Sequence, residues 1–207
     1  MKYSLPSGAD PDAELMLRLK DGEDLMLNEL MTRWQQPLVA FIYRYVGHQA
    51  DALDLAQETF VRVYQARARY TARAKFASWL FAIAANLCRN YMRRWARGAG
   101  TAVESLDPNS VDISQRIPSS DDSPDQAAIK SELIASVKEA ISKLPHDLKT
   151  AILLYEYEDL SYEEISSVLG CSIKAVEMKL YRARKLFKEL LSRTDLRDQD
   201  ARGQQRF

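Results

Sequence analysis

The sequence predicts an all-α protein made of two small helical domains joined by a flexible linker. Three observations lead there. Apolar residues recur at helical spacing along almost the whole chain. Glycine and proline are scarce, seven of each in 207 residues, which disfavours a turn-rich β fold. Residues 98–125, GAGTAVESLDPNSVDISQRIPSSDDSPD, interrupt the pattern: they are rich in Ser, Asp, Pro and Gly, lack a usable apolar period and read as a linker.

Taken in order, Leu15 to Leu19 begins a helix that breaks near Asp21 and Gly22. A second runs from about Glu23 to Trp34. Pro37 opens a third, closed by Gly47, a good C-cap residue. Asp51 is placed to cap the next helix, DALDLAQETFVRVYQARARY. The segment FASWLFAIAANLCRNYMRRWAR, Phe76 to Arg97, completes a first domain at about 11–97. After the linker, Ile129, Leu133, Val137 and Ile141 resume the helical spacing, and Pro145 suits the first turn of a helix reaching about Glu158. The second domain spans about 126–192, and the tail at 193–207 is expected to fray or be disordered.

Composition excludes several classes. The N-terminus, MKYSLPSGADPDAEL, has no apolar core for a signal peptide. The longest uncharged run, Phe76 to Cys88, has thirteen residues, against the roughly 18 to 20 that a bilayer span needs. Membrane insertion is not expected. Two cysteines, Cys88 and Cys171, stand far apart without metal-ligand spacing, which suits a reduced, cytoplasmic setting. His48 and His146 fall at helix junctions with no nucleophile or ligand pattern around them. No Gly-rich phosphate loop occurs. Catalytic, metal and cofactor sites are therefore not expected.

The charges sum to zero, with 29 bases and 29 acids, but they are segregated. Residues 1–59 carry ten acids and five bases; residues 60–97 carry nine bases and no acid; residues 98–147 carry nine acids and four bases. An acid-free basic block with interleaved aromatics is poorly explained as a merely solvated face and points to an anionic partner.

The stretch LSYEEISSVLGCSIKAVEMKLYRARKLF holds the sharpest local signal. Ser161 followed by Glu164 is a capping box. Gly170 can take the left-handed conformation of a tight turn, and Ser172 can cap a second helix. On that helix Val176, Leu180, Ala183 and Phe187 share the packing side, while Lys174, Met178, Tyr181, Arg182 and Lys185 lie roughly opposite. A short helix, a glycine turn and a longer helix with a basic outer face fit a helix-turn-helix whose second helix enters a DNA major groove. Caps and a turn alone fit an αα-hairpin of an ordinary bundle equally well.

In the basic segment, Phe76, Leu80, Ile83, Leu87 and Tyr91 share a core sector. Trp79, Asn86, Asn90, Arg93 and Arg97 share a neighbouring polar sector. Indole, amides and guanidiniums together suit single-stranded nucleic acid, through stacking, base-edge hydrogen bonds and phosphate neutralisation. Trp79 by itself fits a core position as well as a stacking one.

DALDLAQETFVRVYQ, then FASWLFAIAANLCRNYMRR, a linker, and LSYEEISSVLGCSIKAVEMKLYRARKLF together resemble an extracytoplasmic-function (ECF) RNA polymerase sigma factor of the sigma-70 family, over about residues 11–192. The resemblance implies that 11–97 is the region 2 helical bundle and 126–192 the region 4 helix-turn-helix. It implies three surfaces. Asp54, Gln57, Glu58 and Arg62 would face the clamp helices of the polymerase β′ subunit, with Leu55, Thr59 and Val63 turned inward. The loop from Tyr70 through Arg73 to Lys75, with Asn86, would hold a flipped base of the minus-ten element; Trp79 would contact the same strand, and Asn90, Arg93, Arg94 and Arg97 would follow the DNA backbone. Ser172, Lys174, Ala175, Glu177, Met178, Tyr181, Arg182 and Lys185 would face the minus-thirty-five element. Core RNA polymerase, including its β flap, promoter DNA and an anti-sigma factor are the implied partners, in the cytoplasm, with no enzymatic activity in the chain. Two departures stand out. Ala84 and Ala85 replace part of a motif that often contains Arg. Glu177 and Met178 replace a usually basic and a usually hydroxyl-bearing residue.

Two other readings stay open on sequence grounds. One is a helix-turn-helix regulator with an unrelated N-terminal sensor. The other is a helical interaction protein whose basic segment binds anionic lipid.

Overall fold

A computed structural model describes the backbone of residues 10–98 and 124–204, and the side chains of 10–98 and 133–192. Residues 99–123, most of the linker expected at 98–125, and the last three residues of the tail lie outside the described residues. The described residues form eight α-helices and one short 3-10 turn, and contain no strand. None of the helices is long and apolar enough to cross a membrane.

Helix α1, Pro11–Lys20, starts at Asp10, whose carboxylate accepts the Asp12 N–H at 3.0 Å, with Pro11 in the first helical position. Helix α2, Leu25–Val46, corrects the expectation of two helices at this point: Pro37 sits inside it. Proline lacks an N–H and crowds the preceding turn, at a cost of about 3 kcal/mol. Leu30, Leu38, Phe41, Ile42 and Tyr45 are all buried along this one helix, and each fully buried large side chain contributes about 1.5 to 3 kcal/mol. Packing therefore carries the helix through its proline. Gly47, at φ 83°, ends it in the expected left-handed cap.

Helix α3, Gln49–Ala66, begins before Asp51, so Asp51 is not its cap. The residue lies in the first turn, where a carboxylate complements the helix dipole. It accepts the Tyr91 hydroxyl at 2.7 Å and pairs with His48 Nδ1 at 2.8 Å. A 3-10 turn, Arg67–Arg69, and a loop lead into α4, Phe76–Trp95. Trp34 packs edge-on against Phe76 and Phe81, with centroid separations of 6.1 and 6.0 Å.

In the second half, α5 spans Pro124–Ser142, starting just ahead of the expected boundary, and α6 spans His146–Tyr157 directly after Pro145. Helix α7, Tyr162–Leu169, and α8, Ile173–Gln204, follow. The backbone of α8 stays helical through residues 193–204, where fraying was expected.

The two halves pack on each other. Helix α7 lies against α4, and α5 and α6 lie against α2. A single buried cluster runs from Phe41, Phe81 and Cys88 to Leu153, Leu154 and Ile165. Polar contacts cross the same seam. Arg44 reaches Glu158 at 3.4 Å and stacks over Tyr157 at 4.2 Å. The Tyr45 hydroxyl bonds to His146 Nδ1.

Candidate polymerase and nucleic-acid interfaces

The α3 face has the expected polarity. Thr59 and Val63 are buried and Leu55 packs against the core, while Asp54, Gln57 and Arg62 are exposed. Glu58 pairs with Arg62 Nε at 2.7 Å along the helix. Sequence reasoning passed over Leu53 and Val61, which are exposed on the same helix. With Gln57 they are spaced by four, the one available signal of an outward stripe. The face therefore offers acid, amide and apolar groups together.

Between α3 and α4 the chain is built on an aromatic floor. Tyr70 was expected among the DNA contacts, but it is only 2% exposed. Its ring meets Trp79 at 5.1 Å and Phe76 at 6.5 Å, both edge-on. Burial pushes its hydroxyl up to about 12. Tyr70 thus supports Trp79 from beneath instead of presenting itself. Two bonds fix this floor to α1: Lys20 Nζ donates to the Tyr70 carbonyl at 3.0 Å, and the Phe76 N–H donates to Asp10 at 2.6 Å. Lys75 offers no side-chain cap to α4, so Asp10 satisfies one of the unpaired donors at its start.

Above the floor Arg73, Lys75, Asn86, Asn90, Arg93, Arg94 and Arg97 are exposed, and Trp79 is half-buried. Ile83 and Tyr91 are also only half-buried, so the core sector of α4 is narrower than its spacing suggested. The loop is not wholly free. Lys75 Nζ lies 2.7 Å from Glu164 of α7, which is the principal cause of the raised Lys75 value.

The helix-turn-helix has the expected anatomy. Ser161 Oγ accepts the Glu164 N–H at 3.3 Å and Glu164 accepts the Ser161 N–H at 2.7 Å. Gly170 has φ 62°, and Ser172 Oγ accepts the Ala175 N–H at 3.2 Å. Val176, Leu180 and Ala183 are buried; Phe187 and Ala175 are half-buried. Ser172, Lys174, Glu177, Met178, Tyr181, Arg182 and Lys185 are exposed. Two ion pairs escaped sequence reasoning because they join distant segments. Lys179 holds Asp147 at 2.7 Å and Arg184 holds Glu156 at 2.9 Å, both on α6. They tie two bases of α8 to α6, away from the outer face, and fix the rotation of α8 on its neighbour.

Beneath the seam sits Lys149, only 3% exposed. Its ammonium donates to the Ser142 carbonyl at 3.0 Å and the Tyr45 carbonyl at 3.5 Å, and lies 4.9 Å from the Tyr45 ring. Burial holds its pKa below the ordinary lysine value. Burial, followed by nearby Arg89, also lowers His146 to about 4, so this ring is neutral at pH 7 and can accept from Tyr45.

Comparison with known proteins assigns both halves. The family model for sigma-70 region 2 matches residues 30–98, and that for sigma-70 region 4 matches residues 134–187. Two such modules in this order define a sigma-70 type of initiation factor. The chain belongs to the extracytoplasmic-function sigma factors of the sigma-70 family. It is 31% identical to RNA polymerase sigma-H factor of Pseudomonas aeruginosa over 88% of this chain and 94% of the relative. It is 33% identical to ECF RNA polymerase sigma-E factor of Haemophilus influenzae over 84% of this chain and 92% of the relative. Among solved structures it is similar to CnrH in complex with the cytosolic domain of CnrY, at a TM-score of 0.63 and 25% identity, covering 88% of this chain and 98% of that one.

Proposed function

We propose that this chain binds core RNA polymerase and directs it to promoters through two separate DNA-reading surfaces. The observation that carries the reading is the coexistence of three exposed faces on one chain. The α3 face, with Asp54, Gln57, Glu58 and Arg62, would dock on the β′ clamp helices. The loop and outer face of α4 would hold the melted minus-ten strand, with Asn86 reading a base and Arg93, Arg94 and Arg97 neutralising phosphate. The outer face of α8 would enter the duplex at the minus-thirty-five element beside the β flap. The chain supplies recognition and melting; bond formation remains with the polymerase, in the cytoplasm.

The packed arrangement supports a further part of this reading. With Glu164 on Lys75 and α7 against α4, region 4 sits beside the minus-ten loop. Engaging both promoter elements would separate the two halves. An anti-sigma factor would act by favouring the occluded arrangement; the similar CnrH is found in complex with the cytosolic domain of CnrY.

The test is run-off transcription by core enzyme with and without the full chain on a library of promoter fragments, followed by sequencing of the transcripts. The expected result is a defined set of start sites that share two upstream elements. Unchanged initiation by core enzyme in the presence of the chain would overturn the reading.

A further inference from the structure

The outer face of α8 is less polar than its charge suggests. Met178 is 43% exposed and Tyr181 is 64% exposed. They are three residues apart, hence neighbours on the helix surface. Lys174 precedes Met178 by four residues and Lys185 follows Tyr181 by four, so along the helix the apolar pair lies between two exposed ammonium groups, with exposed Glu177 and Arg182 beside it. The Lys179–Asp147 and Arg184–Glu156 pairs anchor the flanks of α8 to α6. Buried Val176, Leu180 and Ala183 anchor its inner side. The helix cannot roll to bury Met178 and Tyr181 without breaking these contacts.

A single exposed apolar residue needs no explanation. A central pair framed by bases does suggest a ligand, with phosphate outside and something apolar at the middle. In a DNA major groove only one base carries an apolar group at its edge: thymine, through its C5 methyl. We propose that Met178 and Tyr181 read thymine methyl groups in the promoter duplex, with Lys174 and Lys185 on the flanking phosphates. This rests on the minus-thirty-five reading given above and adds to it the chemical feature that is read. Met178 would supply a flexible, polarizable thioether that adjusts to the methyl. Tyr181 would supply an aromatic ring with its hydroxyl left for water or phosphate.

The experiment uses polymerase holoenzyme carrying the full chain. Preferred minus-thirty-five duplexes are selected from a randomised pool, and each thymine in them is then replaced by deoxyuridine, which removes only the methyl. Affinity should fall about threefold to fivefold at one or two thymines, as expected for one methyl losing an apolar contact. Met178→Ala and Tyr181→Ala should each abolish the thymine–deoxyuridine difference at the thymine that side chain contacts, and the double change should abolish it at every position. Both side chains are exposed, so neither change should disturb folding, which circular dichroism checks. Retained minus-thirty-five selectivity with deoxyuridine tolerated everywhere overturns methyl reading and leaves the minus-thirty-five role standing. Absence of any minus-thirty-five preference overturns both. If the alanine variants keep their promoter preference but assemble poorly with core enzyme, the pair serves a protein contact and the proposal falls.

Discussion

Glu164 binds Lys75 through one carboxylate oxygen and the Ser161 N–H through the other, each at 2.7 Å. The side chain that starts the first helix of the helix-turn-helix therefore also holds the loop before α4. Glu164→Gln keeps an acceptor for the cap and removes the charge. The interdomain distance, followed by energy transfer between dyes on the two halves, should shift toward longer values. Thermal stability should change by less than about 1 kcal/mol, since Lys75 is largely exposed. An unaltered distance distribution would mean that apolar packing alone closes the seam.

The pH response of the seam follows from His146. Its pKa is lowered from an ordinary value of 6.5 to about 4, first by burial. Separated halves would bind a proton that the packed form refuses. The packed form is then fully favoured above about pH 6.5 and loses ground as pH falls toward 4. Ordinary carboxylates titrate at the low end of this window, so the comparison is with His146→Gln, which should flatten the profile between pH 6.5 and 5. Parallel profiles for the two proteins would remove His146 as the cause.

On α3, Asp54→Ala combined with Glu58→Ala should weaken binding to core polymerase while helicity stays intact. Glu58 and Arg62 are each nearly half exposed, so folding should be affected by well under about 1 kcal/mol. A pull-down with core enzyme measures the effect. Full retention would move the docking surface elsewhere, with the exposed Leu53 and Val61 as the next positions to change.

On α4, Asn86→Ala and the double change Arg93→Ala with Arg97→Ala should behave oppositely. The first should reduce discrimination among minus-ten strands by about 1 to 3 kcal/mol at one position, with little change in salt dependence. The second should weaken all strands and flatten the salt slope. Binding of short single-stranded oligonucleotides to holoenzyme at several salt concentrations separates the two. If Asn86→Ala leaves base preference untouched, its amide is structural.

Much of this was legible in the sequence because it is local. The Ser161 and Glu164 box, the Gly170 turn and the Ser172 cap are rules that act over three or four residues, and all three formed as read. The errors arose where distant packing outweighed local preference. Pro37 reads as the opening of a new helix, yet α2 runs through it because five large side chains on that helix are buried. Asp51 looks like a cap, yet it serves Tyr91 forty positions away. Tyr70 looks like a loop aromatic available to DNA, but only the fold reveals the floor that it builds under Trp79. The contact of the two halves left no trace in the sequence pattern, because its parts lie on five helices.

Lys149 gives the joint between the halves a particular mechanical character. An ammonium held by two helix-end carbonyls is satisfied, yet it has given up its water, and for a buried ion that loss is several kcal/mol. Pulling the halves apart would return the hydration shell at the same moment that apolar surface is uncovered. The two changes oppose each other, so the seam acts as a preloaded hinge, not a weld. The buried charge at residue 149 thus lowers the work of opening the joint below what its apolar surface alone would demand.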